Sequence, residues 1–279
     1  MSRFVMVAML VVVTLSGCAA ALSSFQPAHV ASKGSVRVET GMDVSVPTGT
    51  IFKVVDAGKT LAGAADDREL TDAERAQVIE AGMNLALTPP APVTHVGVTY
   101  TPLQDWEVGV RYASGGWRLG MRRQLLHQAA HTVDLTVGIA VGRFAYEFPV
   151  NDVLGVLTLD DFTRYSLEIP IVVGQHADWY RWWGGPRLVL HRFSTALTFT
   201  QPPVGGAPAS ATLASVDGTG AFVGAQGGIA LGYRTLFVAF ELTIVQLVSS
   251  ARLEIVGAGQ ELDLSGLVIY PGIALMGEF

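Results

Sequence analysis

The chain has 279 residues, of which 50% are hydrophobic and 15% are charged, and its formal net charge at pH 7 is −6. This acidic balance gives no reason to expect a nucleic-acid partner, which would favour a basic face. The mean hydropathy is +0.41, yet after Cys18 no apolar stretch approaches the roughly 18 residues that a membrane-spanning helix needs. The hydrophobic residues must therefore alternate with polar ones along the chain.

The chain begins with an apolar run from Phe4 to Leu15, directly after Arg3. A run of that length suits the hydrophobic region of a secretory signal peptide, with a short membrane anchor or a buried helix as alternatives. The next residues read Leu-Ser-Gly-Cys and end at Cys18, the only cysteine of the chain. This tetrapeptide, placed directly behind an apolar run, resembles the lipobox of bacterial lipoproteins.

The lipoprotein resemblance implies that a signal peptide, residues 1–17, is removed and that Cys18 carries a covalent lipid. Residues 18–32 would then form a lipidated linker. In that family an Asp after the cysteine tends to retain the protein at the inner membrane. Because Ala19 stands there instead, the resemblance implies a lipid anchor in the outer membrane and an N-terminus in the periplasm.

Ten later segments alternate apolar and polar residues with period two, a pattern typical of half-buried β-strands. In the stretch 106–112, for example, Trp106, Val108 and Val110 share one face of the predicted strand. Eight or twelve strands remain alternatives. The ten predicted strands are 34–46, 92–101, 106–113, 117–126, 132–147, 162–174, 179–198, 216–231, 236–247 and 262–279.

The connections between these strands alternate in length, apart from the short one at 114–116. Short turns at one end and long loops at the other, with an even strand number, are typical of an outer-membrane barrel. We therefore predict an all-β fold, an up-and-down antiparallel transmembrane β-barrel, as one domain over residues 33–279. The tight connections are 102–105, 127–131, 175–178 and 232–235, and the long ones are 47–91, 148–161, 199–215 and 248–261.

The first long loop, 47–91, contains a helix signal. Thr71 and Glu74 have the spacing of a capping box, the run that follows favours helix, and Gly82 can end it. We predict a helix over residues 71–82 that covers the rim of the barrel.

Three features indicate that the apolar face of the barrel is its outer one. Glycines fall mostly on the polar face, which suits a crowded lumen, and aromatic residues cluster near strand ends, as in an interfacial girdle. The chain ends with an alternating segment at Phe279, which resembles the C-terminal strand of outer-membrane barrels. That resemblance implies recognition by the barrel-assembly machinery and a surface in contact with outer-membrane lipids.

With this orientation, alternation places six basic and six acidic side chains in the lumen. All the basic ones are arginine, whose guanidinium suits bidentate pairing with carboxylates. Since a buried charge persists only when paired, we predict an ion-paired, closed lumen in preference to a substrate pathway. The predicted lumen charges are Arg37, Glu39, Asp43, Glu107, Arg111, Arg118, Arg122, Asp134, Arg164, Glu168, Arg187 and Glu241.

No motif in the sequence assigns a reaction, a metal or a cofactor other than the lipid on Cys18. The pair His127 and His131 falls in a predicted turn and lacks the Glu of a zinc-protease motif. His191, with Ser194 nearby in sequence, is the one weak catalytic candidate.

The sequence thus predicts an outer-membrane lipoprotein barrel with a structural or interaction role through its outer loops, and no identified extracellular ligand. The alternatives are a narrow channel or transporter, a lipid-modifying enzyme, and a soluble periplasmic lipid-binding barrel.

Overall fold

A computed structural model of the chain describes residues 21–64, 68–113, 115–145, 156–201, 210–255 and 258–279. The predicted signal peptide and Cys18 lie outside these residues. The described part contains three helices, α1 (Thr48–Ala64), α2 (Asp72–Leu87) and α3 (Gln128–His131).

Thirteen strands are present in the described ranges, and all their pairings are antiparallel. They are β1 (Val36–Val44), β2 (Val46–Pro47), β3 (Pro92–Leu103), β4 (Trp106–Ala113), β5 (Gly116–Leu126), β6 (Asp134–Ala145), β7 (Leu157–Glu168), β8 (Ile171–His176), β9 (Tyr180–Gln201), β10 (Ser210–Tyr233), β11 (Leu236–Ile255), β12 (Ala258–Asp263) and β13 (Gly266–Glu278).

These strands occupy ten positions around a closed barrel. Strand β13 pairs with β11 on one side and with β1 on the other, which closes the ring. The pairs β1–β2, β7–β8 and β12–β13 each fill a single position. Between β7 and β8 the chain contains Pro170, which has no amide hydrogen to donate to the sheet. The predicted ten-stranded antiparallel barrel is confirmed.

The two ends of the barrel differ. We call the end with Gly34, Asp105, Arg234 and Phe279 the turn end, and the opposite end, which carries α1 and α2, the loop end. Strands β9, β10 and β11 extend further at the loop end than the sequence predicts. The outward residues there are mostly small or polar, among them Thr200, Ser215 and Glu254, with Leu213 and Val248 as apolar exceptions, so the apolar alternation weakens before the strands end.

The outer face of the barrel is apolar. On β11 the outward residues from Leu236 to Ile244 are 38–59% exposed, whereas the inward Phe237, Glu241 and Thr243 are at most 3% exposed. No helix in the described ranges is long and apolar enough to cross a membrane. Most of the strand-end aromatics face outward as expected, but Trp183 and Tyr270 point inward and are only 2% and 1% exposed.

The helical region differs from its prediction in three ways. The capping box at Thr71 and Glu74 forms, but α2 continues five residues beyond Gly82, to Leu87. Its second half is buried on all sides inside the loop end of the barrel, as expected for a helix that is apolar all round, so it does not merely cover the rim. Helix α1 was not predicted, and it packs against α2 and β13.

The start of α2 supplies a pH-dependent contact. The Arg68 guanidinium, followed by the amide and hydroxyl of Thr71, lowers the pKa of Glu74 from its ordinary value of 4.5 to about 2. Because the carboxylate form is the one stabilised, its contribution is present above pH 4.5 and is lost as the pH falls towards 2.

We therefore expect amide hydrogen-exchange protection of the first turn of α2, relative to intrinsic exchange rates, to fall over that pH window. In the control variant Glu74→Gln, which cannot titrate, the protection should show no such step. An identical pH dependence in the two proteins would contradict this assignment.

Candidate functional site: the occupied lumen

The lumen is occupied by residues 21–33, which we call the lumen segment. At the loop end Ala21 packs with Val93 and Ala113. At the turn end the amide of Gly34, the next residue, donates to the Thr101 carbonyl at 2.8 Å. The segment therefore runs the length of the barrel interior, and its residue Phe25 has no exposed surface.

The lumen segment, apart from its last residue, falls within the predicted linker, residues 18–32. Its residues Ala21–Ala31 are almost entirely buried inside the barrel. A segment without regular structure can be buried only where its amides and carbonyls find partners. The partners come from inward side chains of the barrel strands.

Glu241 is the main anchor of the lumen segment. Its Oε1 accepts the Ser24 amide at 2.5 Å and its Oε2 accepts the Phe25 amide at 2.7 Å. The Trp183 indole N–H also donates to Oε2, at 2.8 Å. Among the described residues no guanidinium lies within 4.0 Å of this carboxylate. Glu241 thus binds backbone amides, and the arginine partner expected from the sequence is not found.

Phe25 fills the centre of the lumen. Its ring stacks on His95 with the centroids 5.2 Å apart, and the Arg111 guanidinium lies 5.7 Å from the ring centroid. Arg111 also donates to the Ser23 carbonyl. Gly272 makes room for the ring, because a Cβ at that position would lie 2.8 Å from Cζ of Phe25.

Near the turn end, arginine and glutamine side chains bind the backbone of the lumen segment. Arg122 donates to the carbonyls of Pro27 at 2.5 Å and His29 at 3.3 Å. The Val30 amide donates to Oε1 of Gln124 at 2.7 Å. The segment is therefore held at several points along its length.

Ion pairs surround the lumen segment, and two carboxylates each bridge two arginines. Glu107 lies 3.1 Å from Arg37 and 2.8 Å from Arg122. Glu168 lies 3.1 Å from Arg118 and 2.9 Å from Arg187. All six side chains are at most 9% exposed.

The remaining predicted acids have looser or different partners. Arg111 is 3.5 Å from Glu39 and 3.9 Å from Asp43. Asp134 accepts from Gln124 at 2.7 Å and contacts the His176 ring at 2.6 Å, near the turn end.

Arg164 is a predicted lumen charge that has no carboxylate within 4.0 Å among the described residues. Its Nη1 donates to the Leu87 carbonyl, the last residue of α2, at 3.3 Å. Its guanidinium also lies 4.9 Å from the Phe144 ring centroid. A cation at the C-terminal end of a helix is favoured by the helix dipole, so Arg164 fixes α2 in the lumen.

The sequence analysis did not predict two of the lumen charges, Glu278 and Arg181. Oε2 of Glu278 lies 2.9 Å from both Arg37 and Arg181, and 3.3 Å from the His29 ring. With Glu278 and Arg181 added, the lumen charges contributed by the described residues are seven carboxylates and seven arginines. Alternation could have found Glu278 from its position beside Phe279, and Arg181 from its place between outward aromatic residues.

His191 lies inside the lumen among aromatic rings. The ring lies between Phe193 and Phe222, with centroid distances of 6.0 and 5.1 Å, and its two nitrogens have no hydrogen-bond partner among the described residues. Ser194 points to the exterior. Ser166 is the inward residue opposite His191 in the sheet, and its hydroxyl is also without a partner. His191 and Ser194 therefore lie on opposite faces of β9.

A small cavity borders the lumen segment. A cavity of about 30 Å³ lies between Gln26 of the lumen segment and wall residues that include Glu39, Arg111 and Glu168, which is room for about one or two water molecules. The described residues contain no group of three or more His, Cys, Asp or Glu side chains that could hold a metal ion.

This geometry defines a closed antiparallel barrel with an apolar exterior and a charged, occupied lumen, an architecture like that of outer-membrane β-barrels. No protein-family model matches the chain, and no curated protein matches it. Among solved structures, it is similar to the outer membrane protease OmpT of Escherichia coli, with 9% identity and a TM-score of 0.44 over 88% of this chain and 94% of that one.

Two further likenesses are weaker in score. The N-terminal β-barrel domain of Pseudomonas aeruginosa OprF has 9% identity and a TM-score of 0.22, covering 88% of this chain and 98% of that one. Ail, the attachment invasion locus protein of Yersinia pestis, has 11% identity and a TM-score of 0.27, covering 89% and 100%.

The bridging carboxylates generate a stability prediction. Replacing Glu168 by Gln leaves Arg118 and Arg187 without their shared counter-charge, and we expect the free energy of unfolding to fall by about 3–5 kcal/mol. Unfolding in denaturant, followed by circular dichroism, measures the change.

The matched control is Glu254→Gln on β11, whose carboxylate is 64% exposed and 3.4 Å from Arg252. We expect a change of about 0–1 kcal/mol for this exposed pair. Equal effects of the two substitutions would contradict a structural role for Glu168.

Proposed function

We propose that this protein is an outer-membrane β-barrel with a closed lumen, and that it has a structural or interaction role carried by its loop end. The observation that carries this proposal is the filling of the lumen by the chain itself, with residues 21–33 along its length and α2 at the loop end. Helices α1 and α2 and the extended strands β9, β10 and β11 lie at the same end, where they form a platform for contacts.

The exterior of the barrel supports a membrane location. Its outward side chains form an apolar band, and large aromatic residues follow at the turn end, where Tyr100, Trp179 and Tyr233 are 45%, 61% and 68% exposed. Aromatic residues at that position suit a membrane–water interface. A soluble barrel would have its apolar face inside and water at its polar face.

The interior supports a closed barrel over a channel. An open pore needs a water-lined path, often with an excess of one charge. The lumen charges are instead balanced in sign, and most are paired with each other or with the lumen segment.

We expect no steady ion conductance from the purified protein in planar bilayers. The variant Glu241→Gln weakens the charged hydrogen bonds to Ser24 and Phe25, with a cost of about 1.5–3 kcal/mol, and we expect it to produce brief, flickering currents. Glu254→Gln, on the same strand but exposed, should remain silent. A stable, large single-channel conductance from the unmodified protein would establish the channel alternative instead.

We also propose that the mature chain is anchored by a lipid on Cys18. The support is the Leu-Ser-Gly-Cys sequence behind an apolar run. Ala21 lies at the loop end, and the three residues back to Cys18 reach at most about 11 Å. The anchor would therefore be attached near the loop end, and a periplasmic N-terminus is compatible with this geometry only if the loop end faces the periplasm.

We expect Cys18→Ala to abolish acylation, measured as loss of incorporated labelled fatty acid. The same variant should still fold and should still require detergent for extraction, because the apolar band and not the anchor holds the barrel in the membrane. A folded Cys18→Ala protein that stays soluble without detergent would refute the membrane location. Unchanged fatty-acid incorporation would refute the anchor alone.

A further inference from the structure

A row of basic and aromatic side chains crosses the outer face of β6, β7 and β9. Arg143 is the sheet partner of Tyr165, and Tyr165 is the sheet partner of Arg192. All three side chains are exposed, Tyr165 by 55%. On the far side of Arg143 its partner on β5 is Trp117, which is 44% exposed.

The row lies at the boundary between an apolar and a polar zone of the exterior. Two residues further along each strand towards the turn end, the outward residues that pair with one another are Val141, Leu167 and Leu190. Two residues along each strand in the opposite direction, towards the loop end, the corresponding outward residues are Ala145, Thr163 and Ser194. If the apolar zone lies among acyl chains, the row lies at the level of the lipid headgroups, where the cost of an outward arginine is smallest.

Within the described ranges, neither guanidinium group has an acidic partner. Among the described residues, no carboxylate lies within 4.0 Å of Arg143 or Arg192. The nearest outward acid by register, Asp217, lies one step further towards the loop end and is the sheet partner of Arg252. By contrast, Arg123 and Arg234, two exposed arginines of the turn end, lie over the rings of Trp106 and Tyr233.

We propose that Arg143 and Arg192 bind the phosphate of a phosphorylated lipid of the surrounding leaflet. Their Cα atoms are separated by two strand spacings, about 10 Å, so that both side chains can converge on one phosphate above the Tyr165 ring. Guanidinium groups suit phosphate because they donate two parallel hydrogen bonds. The acyl chains of the lipid would lie on Val141 and Leu190, directly below the row. This site rests on the proposed membrane location.

The test uses the purified full-length protein in non-ionic detergent with lipid A as the probe, and native mass spectrometry as the measurement. We expect lipid A to bind about tenfold more tightly than the same lipid with its phosphates removed. Inorganic phosphate should not compete. Equal binding of the two lipids would overturn the proposal, and so would effective competition by inorganic phosphate, which would indicate a site for the free anion.

The variants locate the site. The double substitution Arg143→Gln with Arg192→Gln should weaken lipid A binding about tenfold, whereas Arg123→Gln with Arg234→Gln at the turn end should leave it unchanged. Arg143→Lys with Arg192→Lys keeps both charges and should bind with intermediate affinity, which separates loss of charge from misfolding. If the glutamine variant folds and binds lipid A as the unmodified protein does, the site is refuted while the membrane barrel stands. The detergent requirement of Cys18→Ala tests that barrel separately.

Discussion

The structure depends on one constraint, that polar groups enclosed by the barrel must be satisfied inside it. Leaving a buried charge unpaired costs several kcal/mol, on the order of 3–5 when one partner of a pair is removed. The lumen segment and the barrel strands satisfy this constraint for each other. Glu241 has no arginine partner in the described part of the chain and is satisfied by the amides of Ser24 and Phe25. Those amides belong to a segment without regular structure and are not paired with a strand.

The interior has two zones, one held by polar contacts and the other by apolar packing. Towards the turn end, charged side chains and the lumen segment form a hydrogen-bonded network. Towards the loop end, α2 packs against apolar inward residues that include Phe193, Leu197 and Leu253. Arg164 joins the zones, because it faces the aromatic rings of the lumen and donates to the last carbonyl of α2. Arg164, whose side chain is buried in the lumen, therefore fixes the helix that fills the loop end of the barrel.

Period-two alternation was sufficient to predict the ten barrel positions, because each strand has one apolar and one polar face. The capping box at Thr71 is likewise a local signal. The end of α2 could not be predicted, since burial of its second half overrides the helix-breaking tendency of Gly82. Helix α1 begins Thr-Gly-Thr and is rich in residues of low helix propensity. The lumen segment has no periodicity, and its anchor Glu241 lies 217 residues from Ser24.

The pairing of β1 with β13, the seam that closes the barrel, involves residues that also belong to the lumen network. Arg37 of β1 and Glu278 of β13 are partners across that seam, and their side chains form an ion pair at 2.9 Å. Arg37 also donates to the His29 carbonyl, and the His29 ring contacts Glu278. Without the β1–β13 pairing, the ion pair between Arg37 and Glu278 would be lost. Without the lumen segment, both side chains would lose their contacts with His29. Because each arrangement lacking one part leaves buried charge or backbone unsatisfied, closing the barrel and filling its lumen stabilise each other.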